Sequence, residues 1–180
     1  GFGIPYKETD PILNIDSVFN NIAKEFFSVY DKDSCPNFCV EPGKYLVGDA
    51  GILVTKVTGV KKSYKTFVGL DAGMETLMRP VLYGAYHRIQ KVGKHQENDQ
   101  TVDITGRICE NTDRLAVDRL FPEVNEGDLV AILDTGAYGY SMAHQFNTRP
   151  RPAEVLLNGD KPVLIRKRET IESMFERCDI

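Results

Sequence analysis

A cysteine and a glutamate stand side by side at Cys109 and Glu110. A thiol can deliver or take up a proton, and a carboxylate can hold a substrate ammonium group. The pair alone is a weak indication of function, because most free cysteines are small core residues and most glutamates lie on a solvated surface. Its interpretation depends on the other stretches that could bind a ligand.

Two glycine-containing loops could bind an anion. Residues 1–6 form one loop, and residues 41–44, with the sequence Glu-Pro-Gly-Lys, form the other. Glycine lets backbone N–H groups approach a phosphate without a Cβ atom in the way. Either loop alone could be an ordinary turn. Both are predicted to follow strands of an α/β unit, in which ligands bind at the carboxyl ends of the strands, so together they predict an anion site.

Arg79 and Tyr83 form a candidate carboxylate site. Arg79 precedes a proline, which disfavours continued helix and places the guanidinium group at a turn. The planar guanidinium can pair with a carboxylate through two hydrogen bonds. Tyr83 follows four residues later and would face the same ligand if the segment is one helical turn. The alternative is a surface arginine and a core tyrosine.

Tyr138 lies between glycines in residues 134–140, at the end of a predicted strand. Small neighbours would expose its ring and let a ligand come close. The alternative is a glycine-rich turn whose aromatic ring packs on the sheet.

The composition narrows the class of protein. Of the 180 residues 42% are hydrophobic, which is enough for a sizeable core, and the net charge of −4 argues against a nucleic-acid surface. No apolar run approaches the roughly 18 residues that would cross a bilayer. The four cysteines match neither a zinc pattern nor a disulfide framework, so no metal site is predicted and a reducing, cytoplasmic setting is favoured.

Two kinds of structural unit are predicted. Apolar residues three and four positions apart predict a helix over residues 16–30, with Asp16 or Asn14 as its N-cap. Residues 37–40 are a short apolar run, predicted to be a buried parallel strand of an α/β unit. After Lys44, short β-branched runs separated by turns are typical of an antiparallel barrel or sandwich.

The strands of this second unit are predicted at 52–60, 64–70, 87–92, 101–108, 128–133, 153–157 and 162–166. A polar hairpin loop is expected at 91–100, one helical turn at 142–146 and a short helix at 170–177.

A family resemblance is carried by six stretches in order and spacing: residues 41–44, 71–74, 78–87, 109–110, 134–142 and 149–155. Together they resemble the carboxy-terminal half of the diaminopimelate decarboxylases, which are PLP-dependent decarboxylases of the alanine-racemase-like fold. The resemblance covers nearly the whole chain. It implies that residues 1–48 are the last βα units of a PLP-binding (β/α)8 barrel and that residues 49–180 form a carboxy-terminal antiparallel β-barrel or sandwich domain.

The resemblance also implies roles in proton transfer and substrate binding. Cys109 would be the proton donor, and Glu110 would hold the distal ammonium group of the substrate. Arg79 and Tyr83 would hold the distal carboxylate, and Tyr138 would contact both substrate and cofactor. An arginine and a glutamate at the far end would recognise a zwitterion, because a substrate lacking either charge leaves a buried partner unpaired.

Further residues are assigned by the resemblance to the phosphate region of the cofactor pyridoxal 5'-phosphate (PLP). These residues are Gly1, Glu41, Pro42, Gly43 and Lys44. Pro42 has no N–H group to donate. Lys44 stands where the family usually has an arginine, so it keeps the charge without the bidentate fork, and it is also a candidate for substrate binding.

The implied activity is the decarboxylation of meso-2,6-diaminopimelate to L-lysine and CO2, the last step of lysine biosynthesis. The working unit would be a homodimer in which Cys109 reaches into the active site of the neighbouring subunit. The family's Schiff-base lysine lies in a Tyr-Ala-x-Lys-Ala motif, and this sequence has no such motif. The chain is therefore expected to be a carboxy-terminal portion of the enzyme and inactive by itself.

Two alternatives stay open. One is a related decarboxylase acting on ornithine, arginine or carboxynorspermidine. Ornithine-type members tend to place an aspartate a few residues after the cysteine, whereas Glu110 and Arg79 favour diaminopimelate. The other alternative is a non-catalytic domain used for dimerisation or regulation.

Overall fold

A mixed β-sheet of six strands forms the centre of the protein. The computed structural model describes residues 1–93, 97 and 99–179. The strands are β1 (Leu53–Lys62), β2 (Thr66–Leu70), β3 (Ile89–Lys91), β4 (Gln100–Thr105), β5 (Arg114–Phe121) and β6 (Leu129–Ile132). Their order across the sheet is β3–β6–β1–β2–β4–β5.

The core of this sheet follows from alternating burial along its strands. In β1, Thr55 and Val57 are buried while Val54 and Lys56 are exposed, as expected when successive side chains point to opposite faces. The buried apolar side chains form one cluster. Its members are Val57, Val68, Leu70, Leu77, Ile89, Val102, Ile104, Leu115, Ala116, Phe121, Val124, Val130 and Ile132.

Side chains tie the two edges of the sheet to each other. Arg119 of edge strand β5 donates from Nη1 to the carbonyl oxygen of His87, just before edge strand β3, over 2.9 Å. Lys91 of β3 donates to the carbonyl oxygen of Glu123, just after β5, over 3.2 Å. The sheet is therefore curled into a nearly closed barrel, which confirms the prediction of a β-domain.

One strand pair departs from the predicted antiparallel arrangement. β2 and β4 pair in parallel, with Val68 opposite Ile104, whereas the other four pairs of this sheet are antiparallel. Parallel neighbours need a long crossover. Residues 71–99 provide it and contain the short helix α3 (Arg79–Tyr83) as well as β3.

The first helix, α1 (Ile15–Val29), matches its predicted position. Asn14 is the N-cap, and its side chain accepts from the N–H of Ser17. An apolar stripe of Ile15, Val18, Ile22 and Phe26 is half-buried, yet no residue of the helix is fully buried.

The remaining elements are short. They are α2 (Gly43–Val47), the 3-10 turns Tyr140–Met142 and Phe146–Thr148, the hairpin strands β7 (Glu154–Asn158) and β8 (Lys161–Arg166), and α4 (Ile171–Met174). None of the helices among the described residues has the length and apolarity to span a membrane.

Several predicted elements need correction. Residues 37–40 are not a strand, because none of the described strands pairs with them, and Phe38 is 50% exposed. Neither glycine loop therefore follows a strand among the described residues. The predicted helical turn at 142–146 is wrong, because residues 143–145 are not helical and separate two 3-10 turns, Tyr140–Met142 and Phe146–Thr148.

The sequence prediction also missed β5 and extended β4 too far. Leu115 and Ala116 of β5 are both buried, and Asp118 has φ 48°, so the strand lacks the strict alternation that predicts a strand. β4 ends at Thr105, where residues 106–113 turn back. Parts of the predicted loop 91–100, at positions 94–96 and 98, lie outside the described residues.

A charged cluster attaches the carboxy-terminal segment to the preceding loop. Glu169 accepts from Arg151 Nε and Nη2 over 2.8 and 2.6 Å, from the Arg151 N–H over 2.9 Å, and from Gln145 over 3.0 Å. The Arg151 guanidinium lowers the pKa of the Glu169 carboxyl from 4.5 to about 2.

Replacing Glu169 with Gln is expected to lower the free energy of unfolding near neutral pH, because the charged hydrogen bonds to Arg151 are weakened. The expected loss is about 1 kcal/mol, since solvent partly screens these bonds. The lowered pKa means that the contribution of Glu169 is complete above pH 4.5 and is lost as the pH falls towards about 2. Urea unfolding of both proteins across the acid range checks this. Asp160→Asn, at the exposed hairpin tip, is the control, and a constant difference between wild type and Glu169→Gln at every pH would contradict the prediction.

Candidate functional site

The segment that carries Tyr138 is bonded to the end of α2 through its backbone. Thr135 donates its N–H to the carbonyl oxygen of Gly51 over 2.9 Å, and Gly136 donates to that of Gly48 over 3.0 Å. A Cβ atom on Gly136 would collide with the carbonyl oxygen of Val47. Glycine at this position therefore allows close backbone packing, which places Tyr138 beside the start of α2.

Gly43, one of the predicted phosphate-region residues, lies directly against the Tyr138 hydroxyl, and Gly1 lies against Glu41. A Cβ atom added to Gly43 would lie 2.7 Å from the Tyr138 hydroxyl oxygen, and one added to Gly1 would lie 3.0 Å from the carbonyl oxygen of Glu41. Gly43 and Lys44 begin α2, where an α-helix leaves its first N–H groups without intrahelical acceptors. These amides and the Tyr138 hydroxyl are thus donors gathered around one small space.

Two cations converge on the ring of Tyr6. Lys44 Nζ lies 5.5 Å from the ring centroid, and the guanidinium carbon of Arg79 lies 5.1 Å from it. Both distances are within the range of a cation–π contact. The candidate carboxylate-binding groups Lys44 and Arg79 therefore both contact Tyr6, to which the sequence prediction gave no role of its own.

Arg79 is held in the interior by His87. The Arg79 Nη1 and His87 Nε2 atoms are 2.9 Å apart, and His87 Nδ1 lies 2.9 Å from the carbonyl oxygen of Leu133. Arg79 is 6% exposed and His87 is fully buried. Burial lowers the pKa of the His87 imidazole below its ordinary value.

Arg79 and Tyr83 lie in one short helix, α3, which begins at Arg79 and ends at Tyr83, so the condition set for Tyr83 to face the ligand of Arg79 is met. The expectation that proline keeps Arg79 out of a helix is wrong, because a proline within the first turn removes no intrahelical hydrogen bond. Tyr83 is 65% exposed, whereas Arg79 is buried, so the two side chains lie in different environments.

Cys109 and Glu110 lie on the surface loop 106–113. Cys109 is exposed, and its sulfur accepts from Asn147 Nδ2 at 3.5 Å. The Glu110 carboxylate is half-buried and accepts from the N–H and hydroxyl of Thr112 over 3.2 and 3.1 Å. Among the described residues, no hydrogen bond or ion pair joins this thiol or carboxylate to Arg79, Lys44 or Tyr138.

Asp113 anchors this loop from the inside. Its carboxylate accepts from the N–H groups of Met74 and Ile108 over 2.7 and 3.3 Å, and its carbonyl oxygen accepts from Gly106 over 3.0 Å. Burial raises the pKa of the Asp113 carboxyl above its ordinary value. A Cβ atom on Gly106 would collide with this carboxylate, so the glycine is required for the close approach.

A buried ion pair supports the other end of the same loop. Arg107 donates from Nε to Glu75 Oε1 over 2.8 Å, and the side chain of Glu75 is 1% exposed. The carbonyl oxygen of Glu75 accepts the N–H of His144 over 2.9 Å, which brings in the segment that precedes Asn147. Charged groups thus fix the loop 106–113, which carries Cys109, to the rest of the fold. The sequence alone did not indicate this role for Glu75, Arg107 or Asp113.

The site residues fall into two separate groups. One contains the cations and donors around Tyr6 and Tyr138, and the other is the loop with Cys109 and Glu110. His87 and Asp113 were missed as site residues because a single histidine or aspartate in a sequence shows neither its burial nor its partners.

Comparison with known proteins identifies the family. Residues 27–136 match the model of the pyridoxal-dependent decarboxylases, carboxy-terminal sheet domain. The chain belongs to this family. The cofactor of the family is therefore PLP, as the sequence prediction implied.

Members of the family resemble the chain over most or all of its length. Diaminopimelate decarboxylase of Methanothermobacter thermautotrophicus is 44% identical over 179 residues, which are 97% of this chain and 42% of that protein. The crystal structure of diaminopimelate decarboxylase from M. jannaschii superposes with a TM-score of 0.92 at 38% identity, covering 100% of this chain and 42% of that one. The lysine/ornithine decarboxylase of Vibrio vulnificus is less similar, with a TM-score of 0.70 at 25% identity over 82% of this chain and 39% of that one.

Replacing Gly106 with Ala is expected to displace the Asp113 carboxylate, because the new Cβ atom would overlap it. Overpacking of this kind costs about 1–3 kcal/mol. The backbone N–H groups of Met74 and Ile108 would lose their acceptor and exchange faster with solvent deuterium. Amide hydrogen exchange at these two positions is the measurement.

Gly59→Ala is the matched control, because a Cβ atom there has no neighbour within 4 Å. Unchanged protection of Met74 and Ile108 in Gly106→Ala would show that Asp113 does not hold the loop.

Proposed function

We propose that this chain supplies the carboxy-terminal part of a PLP-dependent diaminopimelate decarboxylase, which converts meso-2,6-diaminopimelate to L-lysine and CO2. The observation that carries the proposal is the pair of cations, Arg79 and Lys44, gathered at Tyr6 beside the donors around Tyr138. The chain spans only 42% of the length of its relative from M. thermautotrophicus, so the remaining site residues would come from a barrel portion.

We assign residues 1–48 to the last βα units of that (β/α)8 barrel and residues 49–180 to the β-domain. Two features support the division. The apolar stripe of α1 is only half-buried, and Phe38 and Val40, in the segment predicted as a barrel strand, are exposed. Both surfaces would be covered by neighbouring barrel elements.

The donors around Tyr138 fit a phosphate group. Gly43 has no room for a Cβ atom beneath the Tyr138 hydroxyl, and the first-turn N–H groups of Gly43 and Lys44 would donate to phosphate oxygens, with Gly1 and Glu41 forming the adjacent backbone and Pro42 shaping the turn. PLP, when bound, supplies the electron sink that makes loss of CO2 possible. The residues of this chain would bind it by its phosphate and by contact with Tyr138.

Substrate recognition would use charges of both signs. The guanidinium group of Arg79 would donate two hydrogen bonds to the distal carboxylate. Lys44 would add a second positive charge, and Tyr83 would add a hydroxyl group. Glu110 would hold the distal ammonium group. A substrate without the distal carboxylate would leave Arg79, which is 6% exposed, without its charged partner.

Cys109 would deliver the proton to the carbon that loses CO2. Its thiol is exposed and lies in a different group from Arg79, which suits a homodimer in which the loop 106–113 enters the active site of the neighbouring subunit. Asn147 donates to the sulfur and would hold it in place. The four free cysteines fit a reducing cytoplasm.

The loop also favours diaminopimelate over ornithine. Asp113 follows Cys109 by four positions, as an ornithine-type aspartate could, but its carboxylate is turned inwards onto the N–H groups of Met74 and Ile108. It is therefore not available for a distal amine. Glu110, whose carboxylate is half-buried, is the acidic group that remains for this role.

Replacing Cys109 with Ala in the PLP-loaded holoenzyme is expected to lower kcat on meso-diaminopimelate by about 10²–10⁴-fold, because a positioned proton donor contributes on this scale. PLP content, measured by absorbance, should not change. Cys178→Ala is the control and should keep wild-type activity. Release of CO2 from ornithine but not from meso-diaminopimelate by the wild-type enzyme would contradict the proposed function.

Mixing two inactive variants tests the shared site. Cys109→Ala and Arg79→Ala subunits, dissociated and reassociated together, would form heterodimers in which one of the two sites has both residues intact. Random pairing should restore about a quarter of wild-type activity, because half the dimers are mixed and each has one working site. No recovery of activity would place Cys109 and Arg79 in the site of the same subunit.

A further inference from the structure

We propose that His87 is a positioning residue: as a neutral imidazole with its proton on Nδ1, it fixes the guanidinium of Arg79 in the orientation that receives the distal carboxylate of the substrate. The proposal rests on the function proposed above, and it adds a residue that makes no contact with substrate or cofactor in that scheme.

The two hydrogen bonds of His87 determine its protonation state. A backbone carbonyl oxygen only accepts, so His87 Nδ1, 2.9 Å from the carbonyl oxygen of Leu133, carries the proton. Arginine only donates, so His87 Nε2, 2.9 Å from Arg79 Nη1, presents its lone pair. One tautomer of the neutral ring satisfies both contacts, and the imidazolium satisfies only one.

The charges that face His87 also oppose its protonation. Arg79 of α3 and Arg119 of β5 are both cations, and Arg119 donates to the carbonyl oxygen of His87 itself. Asp134, which follows β6, is the facing anion and is engaged by Arg88 through two bonds of 3.1 Å. Tyr6 packs its ring against the imidazole at 5.2 Å.

Two contacts restrain the guanidinium group of Arg79. His87 takes one N–H of Nη1, and the Tyr6 ring lies 5.1 Å from the guanidinium carbon, so both the rotation and the plane of the group are restrained. Among the described residues, the Arg79 side chain makes no hydrogen bond other than that to His87, so its other N–H groups can bind a bidentate carboxylate. Because the Arg79 side chain is already held in one orientation, it loses less conformational entropy when the carboxylate binds.

A purely structural role for His87 makes a different prediction. If His87 only fills space and satisfies Leu133, its loss would lower stability and affect all ligands alike. If it orients Arg79, its loss would weaken only ligands that carry the distal carboxylate.

The variants His87→Asn and His87→Gln separate these roles. The asparagine amide reaches the position of Nδ1, so it keeps the bond to Leu133 and loses the acceptor for Arg79. The glutamine amide reaches the position of Nε2, so its oxygen can accept from Arg79. In the PLP-loaded holoenzyme, His87→Asn should raise KM for meso-diaminopimelate about tenfold, equivalent to about 1.4 kcal/mol, with kcat changed less than about threefold. His87→Gln should keep KM within about threefold of wild type.

Two inhibitors give a second readout. L-lysine, the product, retains the carboxylate that Arg79 would bind, and 1,5-diaminopentane lacks it. His87→Asn should weaken inhibition by L-lysine about tenfold and leave inhibition by 1,5-diaminopentane unchanged. Equal weakening of both inhibitors, equal KM increases in the two variants, or a fall in kcat with unchanged KM would overturn the positioning role.

A direct measurement on the wild-type protein does not depend on the folding of a variant. ¹⁵N NMR of histidine-labelled holoenzyme at neutral pH should show His87 neutral with its proton on Nδ1; a protonated Nε2 would overturn the proposal. Absence of meso-diaminopimelate decarboxylation by the wild-type enzyme would refute the proposed function instead, whatever the tautomer of His87.

Discussion

A buried arginine needs an acceptor, and in this fold the lone pair of one imidazole nitrogen provides it. Arg79 donates to His87, eight residues further along the chain, and His87 donates to the carbonyl oxygen of Leu133, 46 residues further on, so two hydrogen bonds join the region of α3 to the end of β6. A buried charged donor that loses its partner costs more than the bond contributes when it is made. These two hydrogen bonds therefore couple the position of α3 to that of the residues before β3 and to that of the end of β6.

The two groups of site residues are built on different physical principles. Arg79 is enclosed by the Tyr6 ring and the His87 imidazole, and its position is set by the interior of the chain. Cys109 is exposed, and its loop is held by Asp113, which accepts from the N–H group of Ile108 in the same loop and from that of Met74 in the segment after β2. An enclosed cation suits the binding of a fixed charge, whereas an exposed thiol on an anchored loop suits a group that is completed by another surface.

The sequence predicted those parts of the structure that depend on local patterns. The helix over 16–30 and most strands of the β-domain follow from periodicity and spacing. The parallel pairing of β2 with β4 and the irregular strand β5 could not be predicted, because they depend on long-range packing and on backbone conformations such as φ 48° at Asp118. Residues 37–40 were predicted as a strand and are not one, because an apolar run forms a strand only where a neighbouring strand pairs with it.

The parallel pair β2–β4 also has a kinetic consequence. Its two strands are joined by residues 71–99, and this crossover contains both α3 and His87. Closing such a loop costs entropy before the pairing stabilises it, so contacts of this range form late in folding and slow it. Arg79 and His87 lie eight residues apart inside this crossover, but His87 is also bonded to Leu133 at the end of β6. The orientation of the cation site should therefore become fixed only when the crossover docks against the sheet.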